Sequence, residues 1–149
     1  MRSKKIIDTK NLTIYSPEKT QFKKRPIVNE DISAGFPSPA EDFKEVRISL
    51  DKELVKNEEA TFYARVRGNS MTDANIEDGD LLVIDRSIET RNGKIAVCMI
   101  DGEFTIKRLK VGKNCIYLMA ENENYKPIKV TEENEFIVWG IVIYVIKKV

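Results

Sequence analysis

The chain of 149 residues contains no histidine. That absence excludes every triad or dyad built on imidazole and every zinc site that needs one, so an enzyme made from this sequence must find its base elsewhere. Cysteine is almost as scarce. Cys98 and Cys115 form no CxxC pair and each lies in an apolar, strand-like stretch, which predicts buried reduced thiols rather than a disulfide or a metal site. No metal and no cofactor is expected. Long apolar runs are also missing: the longest, Phe136 to Ile146, is only about half of the ~20 residues a membrane helix needs. At the N-terminus Lys4 and Lys5 are followed by Ile6-Ile7 and then at once by Asp8, too short an apolar core for a signal peptide. The expectation is a cytoplasmic protein with no membrane partner.

What is present is enough for one core. With 42% hydrophobic residues in 149, the chain can bury a single domain plus an appendage. The net charge of +1 conceals an asymmetry, because residues 1–31 hold eight Lys/Arg against four Asp/Glu, leaving 17 of the 25 cations and 20 of the 24 anions to the rest. Lys23-Lys24-Arg25 could touch nucleic acid or an acidic partner, but scattered cations of this kind more often mark a solvated segment. Residues 1–35 keep no sustained period of 3.6 or 2, and they read as a flexible arm that becomes ordered only against another surface.

Beyond a weak helical pattern around Asp51 to Glu59, the signal is strand. Residues 61–67, 80–85, 94–100, 103–109, 115–120, 128–131 and 136–146 read as extended segments. Asp101-Gly102 gives the two-residue turn of a hairpin, and Glu77-Asp78-Gly79-Asp80 and Arg91-Asn92-Gly93-Lys94 supply further turns. The expected fold is mainly β: a single β-rich domain carrying an N-terminal arm.

Two stretches could carry chemistry. In "RVRGNSMTDANIEDGDLLVID", Ser70 follows a strand and the flexible Gly68-Asn69, so its hydroxyl and N–H could both be presented at the mouth of a sheet; no GxSxG elbow is present, and alone it reads as an ordinary loop serine. In "GEFTIKRL", strand alternation puts Thr105, Lys107 and Leu109 on one face and Phe104, Ile106 and Arg108 on the other. A lysine in apolar company is desolvated, which lowers its pKa, and a neutral amine can take the proton of a serine hydroxyl. Alone, Lys107 reads as a surface lysine whose stem covers the sheet edge.

Together these stretches resemble the self-cleaving serine/lysine peptidases of the LexA/UmuD type, with the likeness nearest on the UmuD side, the accessory proteins of error-prone translesion polymerases. The resemblance covers residues 33–149: "AGFPSPAEDF" is similar to the cleavage region, "GNSMTDANIEDGDLLVID" to the nucleophile region, "DGEFTIKRL" to the general-base strand and "FIVWGIVIYVIK" to the closing strands. It implies Ser70 as nucleophile, Lys107 as general base 37 residues later, and Ala34-Gly35 as the scissile bond. Small residues there suit a shallow groove, and Pro37 helps hold the following backbone extended. Cleavage would divide the chain into an arm, 1–34, and a peptidase-like domain, 35–149. The resemblance further implies a role in the SOS response, a homodimer, a RecA filament on single-stranded DNA as trigger, and a UmuC-type polymerase as partner of the processed form.

Other readings compete. A LexA-like repressor needs a three-helix reading head, for which residues 1–33 offer no amphipathic period, so no direct sequence-specific DNA binding is expected. A signal-peptidase relative needs a membrane anchor, and a silent interaction module would keep serine, lysine and cleavable bond only by coincidence. The C-terminal run adds support for a dimer. Strict alternation places Ile137, Trp139, Ile141, Ile143 and Val145 on one face and Phe136, Val138, Val142, Tyr144 and Ile146 on the other, so both faces need cover.

Overall fold

A strand needs alternating cover and a turn that reverses it, and residues 95–111 show how this chain supplies both. In the computed structural model, which describes residues 5–17, 25–27 and 46–149, Asp101 and Gly102 adopt φ of 49° and 83°. These are the left-handed values that a tight hairpin turn requires at both central positions. The turn joins β7 (Ile95–Ile100) to β8 (Glu103–Val111), paired antiparallel with Ala96 opposite Lys107 and Cys98 opposite Thr105.

The other strands are β1 (Lys5–Asp8), β2 (Leu12–Tyr15), β3 (Arg25–Ile27), β4 (Val46–Ile48), β5 (Thr61–Val66), β6 (Leu81–Asp85), β9 (Ile116–Met119), β10 (Ile128–Val130) and β11 (Phe136–Ile146). The fold is mainly β. The chain divides into two units, Met1–Lys19 with Asn57–Val149 and Thr20–Lys56. The larger unit holds one antiparallel sheet in the order β1-β2-β5-β6-β11-β7-β8-β9-β10. In the smaller, β3 pairs with β4, and α1 (Leu50–Leu54) follows.

The helical expectation for Asp51 to Glu59 is only partly met. Helix α1 is little more than one turn, its N-cap Ser49 makes no side-chain capping bond, and Val55 is already extended; a separate 3-10 turn covers Glu58–Ala60. Two apolar residues among charges cannot hold a longer amphipathic helix. Cys98 is buried and reduced as expected, whereas Cys115 sits just before β9 and is only half-buried.

Two apolar clusters flank β7 and β8. Val97 and Ile106 join Leu12, Ile14, Ala64, Leu82 and Ile84 in the first, while Ala96, Cys98 and Leu109 join Leu118 and Ile141 in the second. The middles of both strands are therefore covered on both faces, and the polar side chains there, Thr105 and Lys107, are withdrawn from water.

The alternation expected for β11 is corrected by two bulges. The register slips between Val138 and Gly140 against β7, and between Val142 and Tyr144 against β6. Each bulge adds one residue and reverses the phase of the faces. Ile141 consequently packs with Phe136 and Val138 rather than with Trp139, which lies with Val142 in the other cluster. A close approach marks the first bulge, since a Cβ at Gly140 would stand 2.5 Å from Ile84 Cγ2. The displaced Trp139 ring packs edge-on against Phe62 at 5.1 Å, and Arg86 lies 4.3 Å over its face.

The N-terminal stretch departs most from expectation. Leu12 and Ile14 have no exposure at all, and β2 pairs with β5 through four residues, from Leu12 opposite Val66 to Tyr15 opposite Tyr63. The surface that orders this part of the leader is the sheet itself. Ala34, Gly35 and the rest of "SAGFPSPAEDF", together with Lys23 and Lys24, lie outside the described residues.

Candidate active site

Strand β5 ends at Val66, and the chain loops out before re-entering the sheet at Leu81. The neck of this loop is tied twice: Val66 N–H donates to the Asp80 carbonyl and Gly79 N–H to the Val66 carbonyl, both at 2.9 Å. Within it, Gly68 N–H donates to Asp78 Oδ1 at 2.9 Å. Met71 and Ile76 turn inward to the first cluster, and the Met71 carbonyl accepts from the N–H groups of Ala74 and Ile76, both at 3.1 Å. A loop anchored at its neck and by two buried apolar residues holds the intervening Ser70 in one place.

The loop is also tied to the segment after β9. Asn122 Nδ2 donates to the Asn69 carbonyl at 2.7 Å, Tyr125 Oη–H to Asn69 Oδ1 at 2.8 Å, and Asp73 N–H to the Glu121 carbonyl at 2.7 Å. Glu121 in turn pairs with Arg108 on β8. A trans peptide points its C=O and N–H in opposite directions, so holding the Asn69 carbonyl toward Asn122 turns the Ser70 N–H away from it. Among the described residues that N–H finds no acceptor.

Opposite the loop stands Lys107 on β8, only 6% exposed. Its Nζ lies 3.1 Å from Ser70 Oγ, 2.9 Å from Thr105 Oγ1 and 3.2 Å from the Ile106 carbonyl oxygen. No carboxylate is among these partners. Burial disfavours the ammonium and pushes the Lys107 pKa below the ordinary lysine value. Cys98, on the same face of β7, is driven the other way by burial, its thiol pushed up to about 12, so it stays protonated and offers no thiolate to hold a charged Lys107. All three oxygens can accept from an ammonium here; in the neutral form Thr105 and Ile106 would accept the two N–H groups and leave the lone pair for the Ser70 hydroxyl. Ser70 and Lys107 open into a cleft of about 220 Å³, whose walls include Asn11, Arg67, Ile100, Tyr125 and Ile128. A partly apolar trough that sets a serine hydroxyl beside a buried lysine can perform acyl transfer on an extended chain once that amine is neutral.

The expected pair is thus brought together, with the faces of β8 as alternation gave them. What sequence reasoning missed is the support around it. Alternation puts Thr105 on the right face but gives it no part, Asn69 reads only as a flexible neighbour of Ser70, and nothing points to Asn122 or Tyr125, because no local pattern announces that residues more than fifty positions apart meet.

Comparison with known proteins gives the family. The Peptidase S24-like family profile matches residues 26–143. The chain belongs to that family. This S24 chain is 40% identical over 119 residues to Protein MucA of Salmonella typhimurium, covering 78% of this chain and 80% of MucA. It is 45% identical over 85 residues to Protein ImpA of Shigella flexneri, 57% of this chain and 59% of ImpA. The LexA repressor of Pectobacterium carotovorum subsp. carotovorum (strain PC1) is 40% identical over 123 residues, 82% of this chain but 60% of the repressor. The resemblance to LexA/UmuD-type self-cleaving peptidases holds, on its UmuD-like, SOS-response side. Among the described residues no helix is long and apolar enough to cross a membrane.

Proposed function

We propose that this S24 protein cleaves its own chain between Ala34 and Gly35, with Ser70 as nucleophile and Lys107 as general base. The observation that carries the reading is the 3.1 Å contact between Ser70 Oγ and a buried lysine amine whose hydrogen-bond partners among the described residues are all neutral oxygens. In the reaction, Lys107 Nζ takes the Ser70 hydroxyl proton as Oγ bonds to the Ala34 carbonyl carbon. The resulting oxyanion accepts from the Ser70 N–H, which the Asn69–Asn122 bond leaves turned toward other partners. Collapse of the tetrahedral species breaks the bond to the Gly35 nitrogen, which leaves with the proton held by Lys107. Water then attacks the acyl-serine as Lys107 removes its proton; collapse breaks the bond to Oγ, which takes that proton back from Lys107, and the Ala34 carboxyl group is freed and ionises. Carrying nucleophile and substrate on one chain replaces a bimolecular encounter with an intramolecular one, worth several kcal/mol of barrier when the arm docks in a reactive geometry.

By the same family likeness, the processed form, residues 35–149, serves as accessory subunit of a UmuC-type translesion polymerase, and a RecA filament on single-stranded DNA promotes the cut. The working unit is a homodimer. Tyr144, Val145 and Ile146 at the end of β11 remain exposed in the single chain, an apolar strip that a second copy would cover. A repressor reading fits less well, since residues 5–15 form a strand pair within the sheet rather than part of a DNA-reading helix.

Intact-mass measurement after incubation of the purified protein at neutral and alkaline pH tests the proposal. Fragments ending at Ala34 and beginning at Gly35 are expected, faster at alkaline pH, and none from Ser70→Ala. Equal cleavage in the serine variant, or a cut elsewhere, would overturn it. Gly35→Glu should block the reaction with the dyad intact, because a long charged side chain would have to be desolvated in the trough.

A further inference from the structure

We propose that the leader is not discarded when the chain is cut: residues 5–15 stay seated on β5 as a noncovalently held part of the sheet, so that the β5 edge is a binding site for the protein's own severed arm. The inference rests on the Ala34-Gly35 cleavage proposed above, but the contacts that carry it do not.

The β1–β2 hairpin is built into the fold in three ways. Its apolar side chains plug the core, Leu12 and Ile14 being completely buried beside Ala64 and Val66 in the first cluster. Its backbone completes the ladder, with four residues of β2 registered on β5. Its polar groups are answered across the seam. Arg67 N–H donates to the Asn11 carbonyl at 2.8 Å, the Arg67 guanidinium reaches the Thr9 carbonyl at 2.8 Å and Asp8 at 3.0 Å, and Asn11 Nδ2 donates to the Phe104 carbonyl on β8 at 2.8 Å.

Hydrolysis of a bond twenty residues further along the chain removes none of these contacts. Departure of the hairpin would instead leave β5 with a bare row of N–H and C=O groups, open an apolar hole where Leu12 and Ile14 sat, and take Asn11 out of the wall of the cleft. The cut therefore converts a covalent arm into a bound peptide, and the vacated β5 edge becomes available only to something that displaces it, such as an extended strand of a partner adding to the sheet.

Native and denaturing mass spectrometry of the same self-cleaved sample decide the matter. Two fragments are expected under denaturing conditions, and under native conditions one species heavier than the uncut chain by a single water. A second full-length version, carrying Ser70→Ala and a site-specific protease sequence inserted between Lys19 and Lys23, is cut at will and should behave alike, so the hairpin is tested even if self-cleavage does not occur. Placing L12D and I14D in that version should abolish retention after the cut. A native spectrum holding only the large fragment from either parent, or full retention by the doubly charged variant, would overturn the proposal. Should that variant fail to fold, the nicked parent spectra decide alone.

Discussion

Two lysines at two places in the sheet have opposite surroundings. Lys107, in the middle of β8, is almost completely buried and meets two neutral oxygens of its own strand and the Ser70 hydroxyl; burial pulls its pKa down. Lys147, just past β11, reaches the Asp80 carboxylate and lies 3.5 Å from Glu77. Its pKa is raised, first by the hydrogen bond to Asp80. Both lysines touch the 66–80 loop, one at Ser70 and the other at its neck. The chemical nature of the partners decides what each does there: hydroxyl and carbonyl oxygens leave an amine able to accept a proton, whereas carboxylates fix a permanent cation that can only clamp.

The sharpest way to break this comparison is to make Lys107 permanently cationic. Lys107→Arg keeps a long basic side chain but cannot lose its proton, so self-cleavage should fall by about 10²–10⁴-fold, the usual range for losing a general base. In the wild type the rate should climb with pH through the lowered pKa of Lys107 and level off once the amine is neutral. Single-turnover rates by intact mass across the pH range would check both points. A flat pH profile, or an arginine variant that cuts at the wild-type rate, would place the base elsewhere.

Next in size is the bond that orients the Ser70 peptide. Asn122→Asp keeps the shape of the side chain but removes the N–H that the Asn69 carbonyl accepts and sets oxygen against oxygen. Cleavage should slow by about 10²-fold, as when one oxyanion donor is lost, with the pH midpoint unmoved because Lys107 is untouched. If Asn122 only filled space, the aspartate would outperform Asn122→Ala; comparing the two rates separates the roles.

How much of this was legible beforehand follows the range of the interactions. The strands of residues 61–146, the Asp101-Gly102 turn and the faces of β8 were readable because alternation and turn chemistry act between neighbours. Ser70 and Lys107 were assigned through the resemblance, and alternation placed Lys107 on its face. Invisible were the bulges in β11, which depend on a partner strand and a close backbone approach at Gly140. The leader hairpin was also missed: its polar Thr13, itself only 1% exposed, is satisfied by Asp8, so a buried run of three looked like an unpatterned snatch. The Asn69–Asn122–Tyr125 ties join residues over fifty positions apart, and no local rule reaches that far.

A smaller effect is expected at Thr105, whose hydroxyl oxygen accepts from Lys107 Nζ at 2.9 Å. An acceptor of this kind favours the ammonium over the amine. Thr105→Val removes it while keeping the shape of the side chain, so the pH–rate midpoint should move to lower pH, with a plateau only a few-fold lower than wild type as Lys107 loses one of the bonds that aim it. A midpoint shifted upward would show that the hydroxyl acts on the neutral amine instead.

The smallest effect belongs to the other lysine, and its pH dependence has the opposite sign. Because the folded pKa of Lys147 lies above the ordinary value of 10.5, the stability it contributes is present below that value and is lost as pH rises through the folded pKa. Lys147→Met should therefore lower Tm by roughly 2 °C near neutral pH, as expected for one partly exposed ion pair, and the difference from wild type should vanish in strong alkali. Lys107→Met should do the reverse. Its folded pKa lies below the ordinary value, so the buried ammonium costs stability at low pH, and that cost is relieved as pH rises from the folded pKa toward the unfolded one. Replacing it should raise Tm most in acid and progressively less toward alkali. Thermal melts of both variants in Ser70→Ala chains, which remain uncut, would measure the two slopes side by side. Slopes of the same sign would mean that burial and partner chemistry do not set these two lysines apart.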